Sequence, residues 1–171
     1  MTPTTHIAAA CCITAGVIHG EVQAGAVLLG VTDGTLCSHF LLDFLPHGFI
    51  ATPQTIFKKT VPTLIEIIPG PVILLAAILL FGHPGLFFTA AVFSCLPDVV
   101  AVVYNRDAAL TQKIPGARAL HRLHRFIHWF ETDHADGSTS FLFPNWPLLA
   151  VEAVVILGIL VVLFGGKMII L

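Results

Sequence analysis

The sequence predicts an all-α integral membrane bundle of about five transmembrane helices, with a cytoplasmic amphipathic helix before the last span. Three observations predict it. Hydrophobic residues fill 56% of the 171 positions and charged residues only 11%, whereas soluble domains carry about 25% charge. Several runs approach the roughly 20 apolar residues that cross a bilayer. One stretch, "ARALHRLHRFIHWFE", departs from this pattern and repeats basic and apolar residues at helical spacing.

The elements follow in chain order within a single domain, residues 1–171. The first span covers about 5–18, rich in Ala and Cys, with Thr4 or Thr5 as N-cap after Pro3. The segment before it has no basic region of the signal-peptide kind, so this span is expected to be retained. The second covers about 22–45, carries Asp33, His39 and Asp43, and ends at Pro46 and Gly48. The third covers about 64–81 and is broken near its start by Pro69–Gly70–Pro71. The fourth covers about 86–104 and is expected to be interrupted at Pro97-Asp98. Residues 105–147 form the long polar region, with the amphipathic helix and then a polar loop, "TDHADGSTS". The last span covers about 148–164. The four cysteines, Cys11, Cys12, Cys37 and Cys95, all sit in apolar runs without metal-type spacing and read as small buried hydrophobes.

Charge sets the expected orientation. With five spans, Lys58, Lys59, Arg106, Lys113, Arg118, Arg122 and Arg125 share one side, and only Lys167 lies on the other. The positive-inside rule places the N-terminus and both long loops in the cytoplasm of a prokaryotic cell. A net charge of −2 excludes the basic face that nucleic-acid binding needs. The lipid bilayer is the expected partner, and a homo-oligomer is compatible with the pattern.

The ionisable residues of the spans then gather at one membrane face. His6 opens span one; His39, Asp43 and His47 close span two in "SHFLLDFLPHG"; Glu66 opens span three, Asp98 sits in span four and Glu152 opens span five. Within a span each such residue costs roughly 2.5–3.5 kcal/mol on insertion scales, so the group needs mutual partners or a metal. His39 and Asp43, four apart on a helix, share one face. A mixed histidine and carboxylate set suits zinc, manganese or iron better than calcium. Candidate ligands are His39, Asp43 and Asp98 with His6, His47, His124 and His128. His121, His124 and His128 form one stripe of the amphipathic helix, with Leu123, Phe126 and Ile127 on its membrane or core side. An Asp left without a place on the metal, or Glu66, could serve as general base, and Asp98 is a candidate for that role as well as for ligation. Arg122 and Arg125 could hold a phosphate.

The segment with His39, Asp43 and His47, the earlier His6, the later "LPD" ending at Asp98 and the His121–His128 helix together resemble small prokaryotic membrane-bound metal-dependent hydrolases. A more distant similarity links the His39/Asp43 pair, with Pro46 and His47 after it, to the zinc-dependent phospholipase C and S1/P1 nuclease family. That resemblance implies metal ligation by His39, Asp43 and His47, and hydrolysis of a phosphoester by metal-activated water. The shorter Asp-to-His gap departs from the soluble enzymes. The function expected is a membrane-embedded hydrolase of a phospholipid or lipid-linked phosphate, with zinc the leading cofactor. Two alternatives stand beside it: an ion or small-solute transport or binding protein marked by Asp33 and Asp98, and a non-catalytic membrane subunit whose polar cluster fixes helix packing.

Overall fold

A computed structural model describes residues 2–19, 24–45, 68–106, 113–129, 131–133, 139–141 and 145–168. They form six helices: α1 (Pro3–His19), α2 (Ala24–Phe44), α3 (Pro69–Phe81), α4 (Pro84–Arg106), α5 (Ala117–Ile127) and α6 (Asn145–Met168). Two three-residue strands, β1 (Glu131–Asp133) and β2 (Thr139–Phe141), pair antiparallel with Glu131 opposite Phe141. The polar loop expected after the amphipathic helix thus has a small hairpin at its two edges.

Among the described residues, three helices are long and apolar enough to cross a membrane: Ala26–Phe44, Pro84–Tyr104 and Pro147–Gly165. The chain is a membrane protein by this measure. α3 is as apolar but has 13 residues, about 20 Å of helix at 1.5 Å per residue. The expected first turn of span three, residues 64–67, lies outside the described residues.

α1 occupies the centre, packed against α2, α3, α4 and α6. Its composition explains the position. Ala8, Ala9, Ala10, Cys11, Thr14 and Ala15 are all buried, and such small side chains let neighbouring backbones approach where lipid offers no hydrophobic drive for association. Gly70 shows how close the approach is: a Cβ there would meet Ile7 Cδ1 at 2.8 Å and Thr4 Cα at 3.4 Å. Two buried hydroxyls bond within their own helices, Thr14 to the Ala10 carbonyl at 2.8 Å and Ser94 to the Ala91 carbonyl at 2.9 Å. Around this centre the outer helices turn Leu41, Leu79, Phe88 and Val154 outward, each more than half exposed. An inside of small and polar residues and an outside of large aliphatic ones is the arrangement a bilayer requires.

Two sequence expectations change here. α4 runs unbroken through Pro97; neighbouring helices can take up the backbone groups that a proline frees inside a membrane. Cys37 is exposed on α2 rather than buried, while Cys11 is buried and Cys12 and Cys95 are half-buried.

Candidate metal centre

The centre lies where the start of α1, the C-terminal halves of α2 and α4, and the inner face of α5 meet. His6 comes from the first turns of α1, His39 and Asp43 from α2, Asp98 from α4, and His124 from α5 with His128 just past its end. His6, His39 and Asp43 are fully buried. The Asp98 carboxyl, by contrast, retains 31% exposure and opens the cluster to its surroundings.

Asp43 is the hub. Its Oδ1 lies 3.1 Å from His6 Nε2. Its Oδ2 lies 3.0 Å from His39 Nε2, 3.1 Å from His128 Nε2 and 3.5 Å from His124 Nε2. Asp98 Oδ1 lies 2.9 Å from His124 Nε2 and 3.8 Å from His39 Nε2, and Asp98 Oδ2 lies 3.9 Å from His6 Nε2. The rings of His6 and His39 stack at 4.1 Å, and those of His39 and His124 at 5.5 Å.

The His39 tautomer decides what this geometry can hold. Its Nδ1 bonds the Ser94 carbonyl at 2.7 Å; a carbonyl only accepts, so Nδ1 carries the proton. That carbonyl belongs to the turn of α4 which the Pro97 ring crowds. His39 Nε2, in a neutral ring, then turns a lone pair toward two carboxylates. Neither it nor either nitrogen of His6 has an aligned hydrogen-bond partner among the described residues, although carboxylate oxygens stand about 3 Å away. Nitrogen and oxygen lone pairs converging in this way form a donor set that could hold a cation. Metal bonds of about 2.0–2.2 Å separate adjacent ligand atoms by about 3.0 Å at octahedral angles and about 3.4 Å at tetrahedral ones. One ligand atom each from His39, Asp43, Asp98 and His124 lies within 4.8 Å of all the others. Two carboxylates among neutral imidazoles carry two negative charges, which one divalent ion neutralises. These four residues could hold a metal ion, and His6 and His128 border it.

The docking of α5 completes the set. The Trp129 indole N–H donates to the Phe44 carbonyl at 3.2 Å, joining the ends of α5 and α2. His124 and Ile127 are buried, whereas Leu123 is 44% and Phe126 75% exposed. The histidine stripe therefore faces inward at His124, while Ile127 meets the core and Leu123 and Phe126 face out, positions that a membrane or core side includes. The carboxylates of Asp43 and Asp98 account for it, since they give the imidazoles partners that two apolar residues cannot use. Burial works against the charged form of His124, yet Asp43 and Asp98 outweigh it and hold the imidazole's proton above the ordinary value of 6.5. His121 stays outside the cluster, stacked on Tyr104 at 4.0 Å. Its pKa is lowered by burial and by Arg125 and His124.

Of the other candidates, His47 and Glu66 lie outside the described residues. Arg122 and Arg125 are exposed on the outer side of α5. Asp33 is exposed on α2, apart from the cluster. Glu152 is the residue whose role the sequence left open. It is 4% exposed and reaches across from α6 to the start of α1. Its signal was present as the lone carboxylate in the last apolar run.

Comparisons with models of known protein families, with curated proteins and with solved structures find no match.

Proposed function

We propose that the chain is a membrane-embedded, metal-dependent hydrolase that cleaves a phosphoester, on a lipid or a lipid-linked phosphate, at the cytoplasmic face. The observation that carries the reading is the convergence of His39, Asp43, Asp98 and His124, with His39 Nδ1 committed to Ser94 and its Nε2 turned inward. A polar cluster kept only for packing would pair its own donors and acceptors; here, among the described residues, buried nitrogens of His6 and His39 lack aligned partners. Zinc fits the donor set best, with manganese and iron next.

A divalent ion at this site would supply Lewis acidity and bring the pKa of water near 7. The chain's residues do the rest. Asp43, enclosed by imidazoles and fully buried, would hold the ion and exclude solvent from behind it. Asp98, the less buried of the two carboxylates, would hold the ion through one oxygen and keep the other for a proton from attacking water, serving as ligand and general base together. Arg122 and Arg125 stand where they would meet phosphates at the bilayer surface rather than the bond being cleaved. Residues with this placement favour a substrate whose headgroup lies at membrane depth. Five spans with the cluster end in the cytoplasm remain part of this reading, supported by Lys113, Arg118, Arg122 and Arg125 at that end.

The test is phosphoester release from mixed micelles of diacyl phospholipids and polyprenyl phosphates by zinc- or manganese-loaded protein. Wild type is expected to release product, and His39→Ala to lose it by more than about 100-fold, beyond what supporting residues are worth. A metal-loaded wild type inert on every phosphoester lipid contradicts the hydrolase.

A further inference from the structure

We infer that Glu152 is a positioning residue for the metal centre: it pins the first turn of α1 from α6 and so sets where His6 meets Asp43. The inference rests on the metal-binding reading above.

Glu152 Oε1 accepts two hydrogen bonds, from the Thr2 backbone N–H at 2.7 Å and from the Thr5 hydroxyl at 2.6 Å. Thr2 directly precedes α1 and Thr5 stands in its first turn, the end of the helix where backbone N–H groups have no partner inside it. The Thr5 amide itself bonds back to the Thr2 carbonyl at 3.0 Å, and the His6 amide to the same carbonyl at 3.3 Å. Thr2 is therefore tied at both its N–H and its carbonyl, and the residue that shares its carbonyl is the ligand candidate His6. A carboxylate at a helix N-terminus is also favoured by the helix dipole. Glu152 Oε2 is buried and has no hydrogen-bond partner among the described residues, a cost that a residue kept for packing alone would shed. α6 reaches the cluster through α1, so this carboxylate is its route of influence. On the far side of the turn, Gly70 lets α3 press against Thr4 and Ile7. His6 is held between them; among the described residues its ring has no aligned hydrogen bond, and its one short polar approach is Nε2 to Asp43 Oδ1 at 3.1 Å.

A supporting hydrogen bond of this kind is worth about 10–100-fold in metal affinity. The experiment measures Co²⁺ affinity and the visible ligand-field spectrum of the full-length protein in detergent. Glu152→Leu and Thr5→Val are expected to weaken Co²⁺ binding about tenfold and change the spectrum, because His6 moves relative to Asp43. Thr5→Ser, which keeps the hydroxyl, is expected to restore both. Phe87→Leu, in the buried cluster of Cys11, Ala15, Ala77 and Leu163, is the stability control and leaves the spectrum unchanged. Unaltered affinity and spectrum in Glu152→Leu would overturn the inference, as would Thr5→Ser behaving like Thr5→Val. Wild-type protein that takes up no Co²⁺ contradicts the metal reading itself and this inference with it.

Discussion

The two ends of α1 face the same kind of bundle and differ in what they gather. At its start, His6 joins His39, Asp43, Asp98, His124 and His128 within hydrogen-bonding or ion-pairing distance of two carboxylates. At its far end His19 is exposed and meets the edge of Phe81, at 5.7 Å, and His83 is exposed in the turn before α4. Both ends contain histidine. Among the described residues, only one has carboxylates at the same depth on neighbouring helices. A histidine in an apolar chain becomes a candidate ligand when other helices bring acceptors to its level, and a bare histidine at a helix end is a solvated or interfacial residue.

Asp43→Ala should break the comparison most strongly. It removes the oxygens that four imidazoles approach, so metal binding should fall by more than the roughly 100-fold upper value for a supporting residue. Titration of each purified form with Co²⁺ or Zn²⁺ reads this directly. His6→Ala against His19→Ala sharpens the contrast at intermediate size. The first should lose about 10–100-fold in metal affinity, and the second should leave it unchanged although both remove a histidine from the same helix. Asp33→Asn, exposed on the helix that carries His39 and Asp43, should be the smallest effect: no change in metal content and a stability change within about 0.5 kcal/mol.

Acidity should separate the metal-free and metal-loaded forms. His124 has a raised pKa, so in the metal-free protein its stabilisation is complete below its unfolded value and is lost as pH rises through the folded one. Metal ligation needs the neutral ring and becomes stronger with rising pH. Between about pH 6 and about pH 9 the melting temperature of the metal-free protein should fall, while the stabilisation added by metal should grow. Parallel melting curves of the two forms across that range check the sign.

Much of the architecture was legible as runs of apolar residues bounded by Pro and Gly, because a bilayer imposes length and composition directly on a span. The His39–Asp43 pair was legible for a similar reason, since helical periodicity alone puts them on one face. The inner position of α1 was not, because small residues are ambiguous between a weak span and a tightly packed one. Pro97 misled in the other direction, since its effect on α4 depends on the helices around it. The stripe of α5 was legible from its spacing, but its inward docking was not, because that depends on the two carboxylates beneath His124. Glu152 was visible as a lone charge, but its partner Thr5 lies 147 residues away in sequence, and no local pattern joins them.

The central claim is that the cluster holds a metal. Elemental mass spectrometry of the detergent-purified protein, wild type beside a His39→Ala/Asp43→Ala variant, tests it most directly. The account predicts about one or more zinc, manganese or iron ions per wild-type chain, lost in the folded variant. A wild-type protein that carries no metal even after reconstitution, with a variant that differs only in stability, would contradict it and leave the cluster as a packing device.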